Sequence, residues 1–387
     1  MRFIHLSDLH LGKSVCGISM FANQWCMLNE VLKMCDFKLF DIDAVLVSGD
    51  VYDVAQPSEM AVMMWDFFLT ELAKRNKDVL VISGNHDSEE RMKFGSRLFE
   101  ANGIHIAGRY DGDVPCVKLH DMYGTLNFWL LPFIKASKVR AFHEDLDTSS
   151  YDAAVRSALS VCDIDTDERN VLLAHQFVTA GGTAPEASGA ETVAPEFVGT
   201  VERVDVSAFD KFDYVALGHI HRPQKVGRET VRYSGSPLPY SLSEIGQNKG
   251  VMLVDMGAKG DVTMEMVRIK PYHEMRHIKG SLKDVIAPDN VTDPGDYVYV
   301  TLTDETVIPD AISIIRNSYP NVMHMDYDNS HTKAIESFTF ADVTRKKSFE
   351  ELMGDFYRQI MGTEPSDEEW ALLKEAAREG GVIDEAN

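Results

Sequence analysis

The chain has 387 residues, enough for two or three domains, and its 44% hydrophobic and 26% charged residues exclude a disordered, collagen-like or membrane-embedded class. A formal net charge of -23 excludes a protein that grips nucleic acid through a broad basic surface, so any DNA contact has to be local, metal-assisted or shared with a partner. No apolar run approaches the ~20 residues that cross a bilayer, and MRFIHLSDLH lacks the apolar segment of a signal peptide, so a cytoplasmic protein without membrane contact is expected. Five cysteines, odd in number and without a CxxC pair, argue for reduced thiols rather than disulfides or thiolate zinc.

In chain order, short β-branched runs alternate with longer helical segments, the pattern of an α/β fold whose helices cover a sheet. Strands are predicted at 3–6, 44–48, 79–83, 128–131, 171–174 and 214–217, and nearly every one runs straight into Asp, Asn or His. Ligands of open α/β sheets collect beyond the carboxyl ends of strands, so these polar residues are expected to converge. Residues 179–200, rich in Gly, Ala, Pro, Ser and Thr, read as a long loop. The runs 250–256 and 261–270 read as a hairpin that closes the first domain, with a boundary near Pro271. Beyond it, YVYVTLTD as a strand and IPDAISIIRNSYP as a proline-stopped helix predict a small α+β domain.

The tail changes again. Phe349, Leu352, Met353, Phe356, Tyr357 and Ile360 form one helical stripe, GTEP breaks it, and Ser366 with Glu369 makes a capping box for a second helix bearing Trp370 and Leu373. A helical hairpin is expected, either packed on its own domain or reserved for a partner.

Asp8 and His10 follow the first strand at i and i+2, a spacing that turns both side chains to one face of an extended chain, and His219 and His221 repeat it. Asp50 lies after a glycine in GDVYD, where a carboxylate has room to bridge two cations. Asn85 and His86 end the third strand in GNHD, and His175 ends the fifth. Asp8, His10, Asp50, Asn85, His175, His219 and His221 supply seven oxygen and imidazole donors without a sulfur, enough for two metals sharing Asp50. That donor set suits Mn²⁺, Fe²⁺ or Zn²⁺, with Mn²⁺ preferred, over Mg²⁺ or Ca²⁺. Turn chemistry alone explains Asp and Asn after strands, but not three histidines after separate apolar runs. Two such metals suit phosphoester hydrolysis, and His86, surplus to the seven, is free to donate to a phosphate oxygen or protonate the leaving alkoxide, with Asp87 holding its ring. Asp53 is either a support for a ligand or a plain turn residue, and Arg91, Lys93 and Arg97 either meet a DNA backbone or form a solvated helix face.

The ordered motifs SDLHLG, GDVYD, GNHD, the single His175 and GHIH resemble those of the calcineurin-like metallophosphoesterases over about residues 1–270. The segment YSGSPLPYSLSEIGQNKG and the remainder of the chain resemble the SbcD family, nuclease subunits of the bacterial SbcCD DNA-repair complexes. The resemblance implies a metallophosphoesterase β-sandwich flanked by helices over 1–271, a capping domain over 272–341 that helps hold DNA, and a hairpin over 345–387 that binds the coiled coil of the SbcC ATPase. It implies an ATP-dependent double-strand exonuclease that also cuts single strands and hairpins, working as a homodimer of nuclease subunits with SbcC. One metal is then held by Asp8, His10, Asp50 and His221, the other by Asp50, Asn85, His175 and His219, with His86 catalytic. Archaeal and eukaryotic relatives carry a histidine where this chain has Asp53, so no role passes to that position. A small-molecule or protein phosphatase is the rival enzyme, disfavoured by the chain beyond Pro271. A non-catalytic scaffold is disfavoured by the intact donor set.

Overall fold

The computed structural model describes residues 1–189, 203–330, 353–354, 357–358 and 365–379. The chain divides into two compact units, Met1–Met275 and Arg276–Asn387. The first unit continues past Pro271 because Asn23 takes both backbone groups of His273, each at 2.8 Å.

The chain begins with four strands laid side by side in parallel: β1 (Arg2–Leu6), β2 (Ala44–Ser48), β3 (Asp78–Ile82) and β4 (Ile104–Ala107). It then builds a second sheet from β5 (Cys116–Asp121), β6 (Gly124–Leu131), β7 (Arg169–His175), β8 (Tyr214–Gly218), β9 (Gln224–Val226) and β10 (Arg228–Tyr233). It returns to the first sheet with the antiparallel pair β11 (Gly250–Met256) and β12 (Val262–Arg268), β11 pairing antiparallel to β1. Among the described residues each sheet has six strands, ordered β12-β11-β1-β2-β3-β4 and β9-β10-β8-β7-β6-β5.

The strands form where the sequence places continuous apolar runs, since a strand covered on both faces cannot alternate with polar residues. Phe3, Leu46, Leu80, Phe128, Leu173, Tyr214 and Val254 fill the space between the sheets. Phe3 meets Phe128 and Tyr214 edge to face at 5.6 and 5.9 Å across that interface. Helices α1 (Phe21–Asp36) and α2 (Glu59–Lys74) pack together, and α2 packs on β3. Ser58 caps α2 by accepting from Ala61 N, and Ala61, Met64, Trp65, Phe68 and Leu72 make its buried stripe. The segment after GNHD forms two single-turn helices, α3 (Glu89–Lys93) and α4 (Ser96–Glu100), broken at Gly95 with φ 76°. Helices α5 (Ala136–Phe142) and α6 (Tyr151–Ser160) contribute Val139, Ala154, Val155 and Ala158 to a core with Leu172, Val215 and Leu217 of the second sheet. This is the two-sheet sandwich flanked by helices.

In the second unit, β13 (Met275–Gly280), β14 (Tyr297–Leu302) and β15 (Val322–Tyr327) form a three-stranded sheet with β14 and β15 parallel. Helices α7 (Leu282–Val285) and α8 (Ala311–Arg316) share its core, built on Val298, Val300, Ile315 and Tyr319. Helix α9 (Asp367–Glu379) starts with the expected capping box, Glu369 N reaching Ser366 Oγ at 3.3 Å and Ser366 N reaching Glu369 Oε2 at 2.8 Å. Most of the expected preceding helix, including Phe349, Leu352, Phe356 and Ile360, lies outside the described residues, as do residues 190–200 of the long loop. All five cysteines are free, and no helix among the described residues is long and apolar enough to cross a membrane.

Candidate dimetal centre

Because β1, β2 and β3 run parallel, their carboxyl ends open onto one edge, and there the chain places Asp8, His10, Asp50, Asn85 and His86. In the other sheet β7 and β8 are parallel and register Gly218 against His175, which puts His175, His219 and His221 together. His175 Nδ1–H donates to Ser48 O at 2.8 Å and joins the two sheets.

The seven donors meet. Asp8, His10 and His221 each offer one ligand atom within 4.8 Å of the others, and so do Asp8, Asp50 and His175. His10 Nε2 faces His221 Nε2 at 3.1 Å. Asn85 Oδ1 lies 3.0 Å from both His175 Nε2 and His219 Nδ1. Asp50 Oδ2 lies 3.3 Å from His175 Nε2 and 3.7 Å from His10 Nε2, so a single oxygen faces both groups. Asp8, His10, Asp50, His175, His219 and His221 are all buried. Buried imidazole nitrogens aimed at one another leave lone pairs unmatched, whereas a cation between them uses every one, so the donors fit a divalent pair.

The backbone deviates from the i, i+2 argument. Asp8 (φ 53°), His10 (φ 43°) and His219 (φ 102°) are left-handed, not extended, as is Asp50 (φ 49°). The side chains converge because the backbone turns after each strand, with Asp8 N held on Gly49 O at 3.1 Å and His10 N on Asp50 O at 3.0 Å. Close packing fixes the glycines. A Cβ on Gly218 would lie 2.0 Å from Ser48 O, and one on Gly84 would lie 2.1 Å from Asp50 Oδ1.

Burial opposes charge on Asp50, but the surrounding imidazoles, His175 foremost, outweigh it and hold the carboxyl well below its ordinary range. The same pairing overrides burial at His175 and raises it to about 9. Burial, reinforced by the His175 charge, lowers His219 to about 4.

Asp87 does not hold the ring of His86. It is buried and accepts from the backbone N–H groups of Val51, Tyr52 and Gly84 at 3.1, 2.9 and 2.9 Å, tying the Asp50 turn to the Asn85 turn. His86 Nδ1–H donates instead to Asp53 O at 2.8 Å, which leaves Nε2 as the ring's other polar atom. The Asp53 side chain supports a donor: its Oδ1 lies 3.3 Å from His10 Nδ1 and accepts from Lys13 Nζ at 2.7 Å. Lys93 is engaged by Asp111.

Reading the sequence missed Gln24, Tyr240, Glu244 and Lys249. Gln24 Nε2 donates to His10 O at 2.6 Å, and Tyr240 OH donates to Leu9 O. Glu244 accepts from His221 Nδ1 at 3.3 Å and from Lys249 Nζ at 2.6 Å. Three of these four lie in or beside the 233–250 segment, which the sequence marks as distinctive without revealing what it touches.

Residues 1–223 match the calcineurin-like phosphoesterase family. The chain belongs to that family and is a hydrolase of phosphoester bonds. Residues 271–360 match the family described as the Type 5 capsule protein repressor C-terminal domain. The chain is 29% identical over 367 residues to the SbcD component of the SbcCD nuclease of Staphylococcus epidermidis, a match covering 93% of each protein and bearing out the resemblance read from the motifs.

Proposed function

We propose that the chain is a metal-dependent DNA nuclease, the catalytic subunit of an SbcCD-type complex in DNA repair and recombination, acting in the cytoplasm as an ATP-dependent double-strand exonuclease and a single-strand and hairpin endonuclease. The observation that carries this reading is Asp50 Oδ2 between His10 and His175, one carboxylate oxygen shared by two donor groups. Asp8, His10, Asp50 and His221 would hold one ion, and Asp50, Asn85, His175 and His219 the other, Mn²⁺ in both positions. Bound there, the ions supply positive charge for the phosphate oxygens and a water of lowered pKa. His86, its Nδ1–H fixed on Asp53 O, presents Nε2 to donate to a phosphate oxygen or to the leaving alkoxide. Asn85 contributes a neutral oxygen, which limits negative charge where phosphate enters.

The match over 271–360 supports a second domain, which we assign to residues 272–341 as the part that helps hold DNA. Residues 345–387 are assigned as the hairpin that docks on a coiled coil of an SbcC-type ATPase. Val62 and Phe94, both exposed, line a cavity of about 1090 Å³ between α2 and the α3–α4 segment, and we assign this apolar surface to a second copy of the chain.

The test is hydrolysis of linear duplex and hairpin DNA after chelation and metal add-back, with and without the ATPase and ATP. Rescue by Mn²⁺ above Mg²⁺, with duplex degradation requiring ATP, is the expected result. No cleavage of any DNA under Mn²⁺ would overturn the reading, and equal rescue by Mg²⁺ would overturn the metal assignment.

A further inference from the structure

Glu244 is 1% exposed and has no chemical role in the reading above, although a buried carboxylate is costly unless it is fully paired. Its partners account for both oxygens. Oε1 accepts from His221 Nδ1 at 3.3 Å, Ser188 Oγ at 3.2 Å and Ser241 Oγ at 3.1 Å. Oε2 accepts from Lys249 Nζ at 2.6 Å, Tyr240 N at 3.2 Å and Ser236 Oγ at 3.3 Å. Lys249 Nζ, itself buried, also donates to His221 O at 2.7 Å. One ion pair therefore holds His221 at both its ring and its backbone carbonyl. An imidazole with a carboxylate on Nδ1 carries its proton there and keeps the Nε2 lone pair for a cation. That lone pair faces His10 Nε2 at 3.1 Å.

Ser188 adds a second connection. The 183–189 stretch belongs to the loop whose contacts the sequence does not disclose. Ser188 O accepts from Ser243 Oγ, and Glu186 pairs with Arg222, adjacent to His221, at 2.5 Å. The stretch is seated on the same carboxylate and on the strand end that carries the donor.

We propose that the buried Glu244–Lys249 pair is a positioning device for the metal position built on Asp8, His10 and His221, with Ser188 as the point where the 183–189 stretch is fastened to it. The proposal rests on the dimetal reading and concerns only one of its two positions.

The experiment is calorimetric titration of the full chain with Mn²⁺, alongside thermal melting without added metal and steady-state cleavage of single-stranded DNA. Glu244→Gln must turn its NH₂ toward either His221 or Lys249, both donors, so one hydrogen bond is lost whichever way the amide sits. Glu244→Leu combined with Lys249→Met removes the charges together, a replacement that commonly leaves stability unchanged. Wild type is expected to bind two Mn²⁺. Both variants are expected to bind one of the two about 10 to 100 times more weakly and the other within about threefold, with kcat reduced and KM little changed.

A double variant that binds both ions with wild-type affinity overturns the proposal, as does a weakening of both ions that merely follows a lowered melting temperature. If Glu244→Gln does not fold, the double variant decides alone. Wild type that binds no Mn²⁺ sinks the dimetal reading and this proposal together, whereas two-ion binding unaffected by either variant sinks this proposal alone.

Discussion

The two sides of the centre are supported by different materials. His10 and His221 each set Nδ1 against a carboxylate, Asp53 or Glu244, that is itself paired with a lysine, Lys13 or Lys249. His175 sets Nδ1 against a backbone carbonyl, Ser48 O, in the facing sheet. One side is therefore adjustable by side-chain substitution, while the other is as fixed as the packing of the two sheets. A carboxylate support also brings negative charge toward its imidazole, and a carbonyl brings only a dipole, so the two positions should differ in how tightly they hold a cation.

The largest effect tests the element common to both sides. Asp50→Asn should release both ions and lower turnover by about 10³-fold or more, whereas His86→Ala should keep both ions and lose about 10² to 10⁴ in rate. Metal content and cleavage rate on the same samples separate the two, and loss of both ions from His86→Ala would move that ring into the donor set. Next is the rigid side. Gly218→Ala places a Cβ 2.0 Å from Ser48 O and 2.8 Å from His175 Nδ1, and since backbone cannot retreat as a side chain can, it should cost about 1 to 3 kcal/mol of stability. Denaturant melts measure it, and an unchanged midpoint would mean that the sheets adjust more readily than their contacts indicate.

The adjustable side responds more mildly to its exposed support. Asp53→Asn should weaken one Mn²⁺ by about tenfold, because Asp53 is only partly buried and solvent shares in holding His10. Equal weakening of both ions would erase the distinction between the sides. The smallest effect is the sharpest control. Ser48→Ala removes a buried hydroxyl that has no hydrogen-bond partner among the described residues and leaves the Ser48 carbonyl in place, so metal affinity should stay within about twofold and stability should hold or rise slightly. A large loss would show that the hydroxyl, not the carbonyl, supports His175.

The same contrast explains what a reader of the sequence can see. Each strand end announces its donor, because apolar runs that stop at Asp, Asn or His are visible locally, and the antiparallel β11–β12 pair is a local feature as well. The neighbour of β1 is not visible, since β11 joins it from some 250 positions away, Arg2 registering with Asp255. The supports divide in the same way. Asp53 sits in a motif and attracts notice, but whether it grips His10 or caps a turn is decided by the fold. Glu244 and Gln24 look like ordinary surface residues until the chain brings them under the histidines. Asp87 reads as a partner for its neighbour His86, yet the turn directs it back to Gly84 and to Val51 across the site.

The left-handed conformations of Asp8, His10, Asp50 and His219 have an evolutionary consequence. Each non-glycine residue held there costs on the order of 1 to 3 kcal/mol, and the cost falls on residues that we propose hold the metals. Selection for heat resistance and selection for chemistry thus oppose each other at these four positions. A library of this chain enriched only for survival at high temperature should accumulate glycine and asparagine there, giving hardier proteins that no longer cut. Sequencing the survivors beside a parallel library kept under selection for cleavage reads that conflict directly, position by position.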